Sequence, residues 1–312
     1  MQERKIGVLA GSGRYFPEAF IERVNSLEVP GVSAEFIKLG GTKMAEPNRY
    51  RVILDRASHQ VRYYRLFLKN AALSGTYLIN DPFWYSADDP FFQYCLATRA
   101  GIATPRTVCL PSKSYVGYQV DPEALRNLEY PLDWDGIIEH VGFPAYLKPC
   151  DGGGAAASKV HSKEEMLRAY DQSGTSVLVL QEAIEFEKYL RVFCIGRKYV
   201  LPAPYDPQQQ RYLPDYPYVS AELGQHLVQD TLLLNQLLGY DMNTVDFAVR
   251  DGIPYAIDFL NPVPDFDPES ITWPHFEWLV EKMAELAVEH AQSDQRNLFF
   301  TNWKSQLKDR LP

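Results

Sequence analysis

Nothing in the sequence approaches the roughly 20 consecutive apolar residues needed to cross a bilayer. Its opening, MQERKIGVLAGSGR, passes straight into a strand-and-turn pattern with no signal peptide. A cytoplasmic protein without a membrane partner is therefore expected. Cysteine is scarce. Cys95, Cys109, Cys150 and Cys194 are scattered without a CxxC pair, which excludes a disulfide framework and a structural zinc site and leaves four reduced, mostly structural thiols. Basic charge is in short supply too, with 31 Lys and Arg against 40 Asp and Glu and a formal charge of -9. Nucleic acid and anionic membranes are held by clustered cations, so neither is an expected partner, although a local basic pocket for a nucleotide is compatible with this balance. Low-complexity runs and internal repeats are also missing, which argues against disorder and solenoid folds.

What is present is the composition of a globular protein, 46% hydrophobic and 23% charged over 312 residues, long enough for about two domains or lobes. The run KIGVLA at 5–10, the turn GSGR and the stretch FPEAFIERV, with Phe16, Phe20, Ile21 and Val24 at helical spacing, read as strand, turn and helix. AEFIKLG, YRVILD and TYLIND read as further strands, and VRYYRLFLKNAAL as a helix ending at Gly75. Residues 1–85 thus form an α/β domain on a parallel sheet. GSGR lacks the full GxGxxG, so it is a turn opening a helix rather than a dinucleotide fingerprint. Arg14, Arg56 and His59 fall at or just beyond strand ends, where a second substrate could bind. A surface salt bridge is the simpler reading for each.

Beyond residue 86, FFQYCLATRAG reads as a helix capped by Gly101, followed by an irregular insertion over about 112–135. HVGFPAYLKPCDGGGAAASKV reads as a strand, a glycine loop and a returning strand, and Ser162 with Glu165 as a capping box. Hairpins follow: VLVLQEAI and LRVFCIGRKYV, then a helix around LGQHLVQDTLLLNQLLG, then TVDFAVRDGIPYAIDFLN with its turn at Asp251-Gly252. The last helix, WPHFEWLVEKMAELAVEH, places Phe276, Leu279, Val280, Met283 and Leu286 on one face, which is expected to cover the sheet. The expected divisions are 1–85, 86–185 and 186–312.

Three stretches carry chemistry. Lys148 ends an apolar strand just before Gly152, Gly153 and Gly154, pairing a cation with backbone N–H groups that can approach phosphate oxygens. Gln181, Glu182, Ala183 and Ile184 end an aliphatic run whose backbone could meet an adenine edge. Asp246, Asp258 and Asn261 bring three oxygen side chains onto one hairpin, as magnesium requires. Alone, each reads more readily as an ordinary solvated strand end. Cys150 lies near Lys148 but has no His partner evident in sequence, which disfavours a nucleophilic thiol.

Taken in order, GFPAYLKP, DGGG, QEAIEFEKYLRVFCIG, TVDFAV and IDFLNP resemble the ATP-grasp family, particularly its glutathione synthetase and RimK-like glutamate ligase branches. The resemblance implies a pre-ATP-grasp α/β domain followed by a two-lobed ATP-grasp fold of α/β and α+β character. It implies that Lys148 contacts the α/β-phosphates of ATP, that the glycine loop covers the triphosphate, and that Glu182 to Ile184 form the adenine hinge. It further implies that Arg191 faces phosphate or acyl phosphate, that Glu187 replaces a ribose-binding acid displaced from Tyr189, and that Asp246, Asp258 and Asn261 hold magnesium. The implied activity is ADP-forming ligation of a carboxylate to an amine, such as an amino acid or peptide, by an enzyme of a family often found as homo-oligomers. Three departures stand out: Asp89-Pro90 where a second phosphate lysine is usual, Tyr189, and an acid-x-x-Asn in place of acid-x-Asn. Pro90, Tyr189 and the alanine run at 155–157 favour the rival expectation of a non-catalytic nucleotide binder, a sensor or partner subunit.

Side-chain parity adds a constraint. With a two-residue turn at Asp251-Gly252, Asp246 pairs with Ile257 and Asp258 points away; with a three-residue turn Asp246 meets Asp258 and Asn261 points away. Both acids and the amide converge only if the ladder breaks at Phe259-Leu260, where a bulge or an early strand end is therefore predicted.

Overall fold

The computed structural model describes residues 3–11, 13–44, 48–83, 89–117, 120–150, 157–213 and 219–293. By contact the chain forms two compact units, one of residues 1–87, 188–254 and 258–312, the other of 88–187 with 255–257.

In the first unit, β1 (Arg4–Leu9), β2 (Val32–Phe36), β3 (Tyr50–Asp55) and β4 (Tyr77–Ile79) make a parallel sheet in the order β2-β1-β3-β4. β1, β3 and β4 are buried along most of their length, which explains their aliphatic runs, whereas the edge strand β2 buries only Ala34 fully. Helix α1 (Tyr15–Ser26) covers one face with Phe16, Phe20 and Val24, and α2 (Arg62–Leu73) the other with Leu68 and Ala71.

An antiparallel sheet in the order β11-β10-β9-β12-β13 is built from β9 (Lys188–Ile195), β10 (Tyr199–Asp206), β11 (Arg211–Tyr212), β12 (Met242–Arg250) and β13 (Ile253–Asp258), and belongs to the same unit apart from Tyr255–Ile257 of β13. Helix α6 (Ala221–Leu238), capped by Ser220 and closed by a left-handed Gly239, packs against β9, β10 and β12. The expectation that the last helix covers the sheet understates its role. Helix α7 (Trp273–Gln292) buries Phe276, Leu279, Val280, Met283 and Leu286 in one core shared by β1, β3, β9 and α1. Eight consecutive residues of β12, Met242 to Val249, are buried, Asp246 among them.

The second unit comprises α3 (Pro90–Arg99), β5 (Thr107–Leu110), a 3-10 turn at Pro122–Leu125, α4 (Trp134–Val141), β6 (Ala145–Pro149), β7 (Ser158–Val160), α5 (Lys163–Asp171) and β8 (Leu178–Glu182). Its sheet runs β5-β8-β6-β7 with every pair antiparallel. Two local readings need correction. The C-cap of α3 is Ala100, with Gly101 following at φ 87°. The strand predicted from His140 begins only at Ala145, because residues 134–141 are helical. Trp134, Ile137, Ile138 and Val141 recur at helical spacing and pack on the core of Leu110, Leu147 and Leu180. The helix is short and carries an interior glycine, so its propensity is weak and tertiary packing supplies its stability.

Candidate functional site

In the second unit, β6 presents Lys148 beside β8, where its ammonium donates to Gln181 Oε1 at 2.9 Å and lies 5.4 Å from the Tyr94 ring centroid. Gln181 is 4% exposed, and its amide nitrogen donates to Thr107 Oγ1 at 2.9 Å, so the glutamine orients the lysine from a fixed position. Gly152, Gly153 and Gly154 lie outside the described residues. The hinge segment is partly committed within its own unit: Glu182 N–H donates to the Arg106 carbonyl and Ala183 N–H to the Pro144 carbonyl, while the Glu182 carboxylate pairs with Arg106 at 3.0 Å. Ile184, half-buried, follows them, and Glu187 is exposed just before β9.

In the first unit, the antiparallel register sets Arg191 of β9 directly opposite Asp246 of β12. The guanidinium grips the carboxylate with two bonds, Nε to Oδ1 at 2.7 Å and Nη2 to Oδ2 at 2.8 Å, and Tyr189 donates its hydroxyl to Oδ2 at 2.7 Å. Burial opposes the arginine's charge, but the Asp246 hydrogen bond and charge outweigh it and raise its pKa. Tyr189 is raised by burial first and by the Asp246 charge second, so it is a donor with no tendency to ionise. The Tyr205 ring supports Arg191 from 4.2 Å.

Asp251 and Gly252 both have positive φ, 52° and 75°, as a tight two-residue hairpin turn demands. β13 then ends at Asp258, in keeping with the early strand end expected at Phe259-Leu260, while the two-residue turn is the case in which parity points Asp258 away from Asp246. Asn243 of β12 takes over where the ladder stops, donating to the Phe259 carbonyl at 3.0 Å and accepting from Asn261 N–H at 3.1 Å. Beyond the break, Asn261 Nδ2 reaches Asp258 Oδ1 at 3.3 Å. Asp258 thus shares a neighbourhood with Asn261, and its charge also reaches Tyr189. Among the described residues no three His, Cys, Asp or Glu side chains gather into a metal-binding group, so a magnesium site here rests on two acids and an amide.

The sequence matches no protein-family model and no curated protein. Solved structures do match. D-alanine–D-alanine ligase from Bacillus anthracis complexed with ATP superposes with a TM-score of 0.63 at 16% identity, over 92% of this chain and 96% of that one. A RimK domain ATP-grasp protein from Sphaerobacter thermophilus gives 0.63 at 16% identity, over 91% and 99%. Macrocyclase MdnC from Microcystis aeruginosa, bound with its precursor peptide, gives 0.60 at 15% identity, over 92% and 99%.

The chain has the ATP-grasp fold. Within this ATP-grasp chain the three departures take definite physical form. Asp89 caps α3, accepting from Phe91 and Phe92 N–H at 2.9 and 3.2 Å, and Pro90 occupies the first helical position, so this turn serves the helix. Tyr189 serves Asp246, and the extra residue between Asp258 and Asn261 is absorbed where β13 ends. Cys150 is no nucleophile: burial first, then the Asp89 charge, raises its thiol to about 11. Arg14 pairs with Glu18 on the surface at 3.1 Å, as the simpler reading has it. Tyr94 and Tyr205 went unnoticed in the sequence. Counting back from the Gly196-Arg197 turn pairs Ile195 with Tyr199 and Arg191 with Ala203, which carries Tyr205 alongside Tyr189; nothing local points from Tyr94 to Lys148.

Proposed function

We propose that this protein is an ATP- and magnesium-dependent ligase joining a carboxylate to an amine. The observation that carries the reading is a buried carboxylate, Asp246, clasped by Arg191 on the neighbouring strand, in a fold shared with solved ligases. One of those, the ligase PsnB, is complexed with a precursor peptide, Mg and ADP. On this reading residues 1–85 precede a small lobe, 86–185, and a large lobe, 186–312. Lys148 holds the α/β-phosphates, Gly152 to Gly154 cover the triphosphate, Gln181 to Ile184 receive the adenine, and Glu187 takes the ribose.

The donor set fits magnesium in kind: Asp246, Asp258 and Asn261 offer hard oxygens. Asp246 already uses three of about four acceptor positions, one on Oδ1 and two on Oδ2, so it fits as a monodentate ligand. When bound, the metal supplies neutralisation of phosphate charge. Arg191 and Lys148 add fixed positive charge along the path of phosphoryl transfer. A substrate carboxylate oxygen bonds to the γ-phosphorus as the bond to ADP breaks. The amine nitrogen then attacks the acyl carbon, phosphate leaves, and the amine loses its proton after attack. No strongly basic side chain is required. Free amino acids or short peptides in the cytoplasm supply both groups, and the enzyme works as a homo-oligomer.

ADP release on a pool of amino acids and short peptides tests this. A ligase releases ADP only when carboxylate and amine are both present; release with one acceptor alone makes the protein a kinase. The second reading, a nucleotide binder without turnover, is favoured by the Tyr189 and Arg191 bonds that occupy Asp246. It requires ATP to bind with no ADP released under any combination.

A further inference from the structure

The first unit contains a cleft of about 490 Å³, lined by Gly11 after β1, Arg56 and His59 after β3, and Asp265, Asp267 and Glu269 on the segment after β13. Its place in the topology is distinctive. In the order β2-β1-β3-β4, the chain leaves β1 through α1 toward β2 on one side and leaves β3 through α2 toward β4 on the other. The carboxyl ends of β1 and β3 therefore border the point where the connections diverge, which is where open parallel sheets receive ligands. Gly11 keeps that point narrow, since a Cβ there would lie 2.4 Å from the Arg56 carbonyl oxygen.

Among the described residues Arg56 forms no direct ion pair, although the charges of Asp265 and Asp55 act on it. Its guanidinium lies 5.4 and 4.9 Å from the Phe16 and Phe266 ring centroids, donates to the Pro264 carbonyl at 2.7 Å, and meets only the weak acceptor Met242 Sδ at 3.5 Å. Asp55, just before it, spends its carboxylate on the N–H groups of Ala57 and Ser58 and on the Ser58 hydroxyl. Burial lowers Arg56 to about 10, low for arginine yet fully protonated at neutral pH. Burial holds the guanidinium largely out of water, the charges of Asp265 and Asp55 offset part of that cost, and an anionic group entering the cleft would add a direct partner.

The segment after β13 carries the reverse charge into the same cleft. Asp265 accepts from Asp267 N–H at 2.9 Å and Asp267 from Glu269 N–H at 3.0 Å, turns that use one carboxylate oxygen of each aspartate. None of these three acids has a cationic side chain bonded to it among the described residues, and burial lowers His59, which is neutral at pH 7. Three carboxylates and one arginine thus line one cleft.

We propose that this cleft binds a basic amino acid, with its carboxylate on Arg56 and its ammonium groups on Asp265, Asp267 and Glu269. In naming this amino acid the amine-bearing substrate, the inference rests on the proposed ligase function, but binding itself requires neither ATP nor turnover. The test is calorimetric titration of the full chain with L-lysine, with cadaverine, which lacks the carboxylate, and with L-norleucine, which lacks the side-chain ammonium. L-Lysine is expected to bind at least tenfold more tightly than either analogue. Arg56→Gln brings lysine down to the level of cadaverine, and Asp267→Asn with Glu269→Gln brings it down to the level of norleucine, while ATP titration stays unchanged in both. The analogue series on the unaltered chain decides the matter even where a variant fails to fold. Absence of lysine binding, or equal binding of lysine and norleucine, overturns the proposal. Lysine binding by a chain that does not bind ATP upholds the cleft and overturns the ligase reading.

Discussion

Replacing Arg191 with methionine removes two charge-assisted hydrogen bonds, 2.7 and 2.8 Å long, from a carboxylate whose side chain is 3% exposed, while keeping an apolar stem over the Tyr205 ring. Breaking a buried ion pair from one side costs about 3–5 kcal/mol, because the remaining charge stays desolvated. Two features lower that figure here. The Arg191 side chain is 29% exposed, so water already screens part of the attraction, and the Tyr189 hydroxyl stays on Oδ2. A loss of about 2–3 kcal/mol is expected, in the range of a hydrogen bond to a charged group. The double variant Arg191→Met/Asp246→Asn removes the stranded charge yet leaves an acceptor for Tyr189. It should be more stable than Arg191→Met alone by about 1–2 kcal/mol. Urea unfolding at pH 7, followed by circular dichroism, measures both differences, provided the slope against denaturant is unchanged. A single variant within about 0.5 kcal/mol of the parent, or a double variant no more stable than the single, would show that the pair does not hold Asp246 as described.

Lys148→Ala should weaken ATP binding about tenfold or more, since hydrogen bonds to charged groups contribute roughly 1.5–3 kcal/mol; an unchanged calorimetric titration removes Lys148 from the nucleotide site. Asn243→Ala strips the Phe259 carbonyl and the Asn261 N–H of their partner where β13 stops, and should cost about 1–3 kcal/mol in urea unfolding, whereas a neutral effect would mean that the chain re-pairs beyond Asp258. Acidification should destabilise the fold through His275 and His290, both held below the ordinary histidine value of 6.5 by burial. The unfolded chain takes up these protons first, so stability is full above about pH 6.5 and falls as the pH drops through the lowered values. Urea midpoints at pH 7.5 and 5.5 check the sign, and a midpoint that rises on acidification, or a fall that survives His275→Gln/His290→Gln, refutes the assignment.

How far the residues alone carry the argument depends on the range of the interaction. Phe16, Phe20 and Val24 lie on the buried face of α1 because three to four residues make one turn, and that period is visible in the string. Asp251-Gly252 turns the hairpin because both positions need positive φ, and that dipeptide is visible in the string. The helix at 134–141 escaped because eight residues with one glycine carry little propensity, and what holds them is a core whose other members lie dozens of positions away. Lys148 and Gln181 were each singled out by their surroundings in sequence, but not their contact with one another, since that depends on which strands become neighbours.

The sequence by itself determined most of the strands and helices, the hairpin turns and the ordered series of motifs, because each follows from backbone preferences and side-chain period over a few residues. Tertiary structure alone decided the partners. Register across β9 and β12 set Arg191 against Asp246, 55 positions apart, so the arginine expected to face phosphate already holds a carboxylate. Packing from both sides made β12 a buried strand and drew α7 onto the N-terminal sheet. Topology brought Arg56 between the rings of Phe16 and Phe266, in contact with the Pro264 carbonyl, where sequence reads an ordinary surface cation. Charge and burial at a distance depend on what the rest of the chain places nearby, and no local window of sequence contains that.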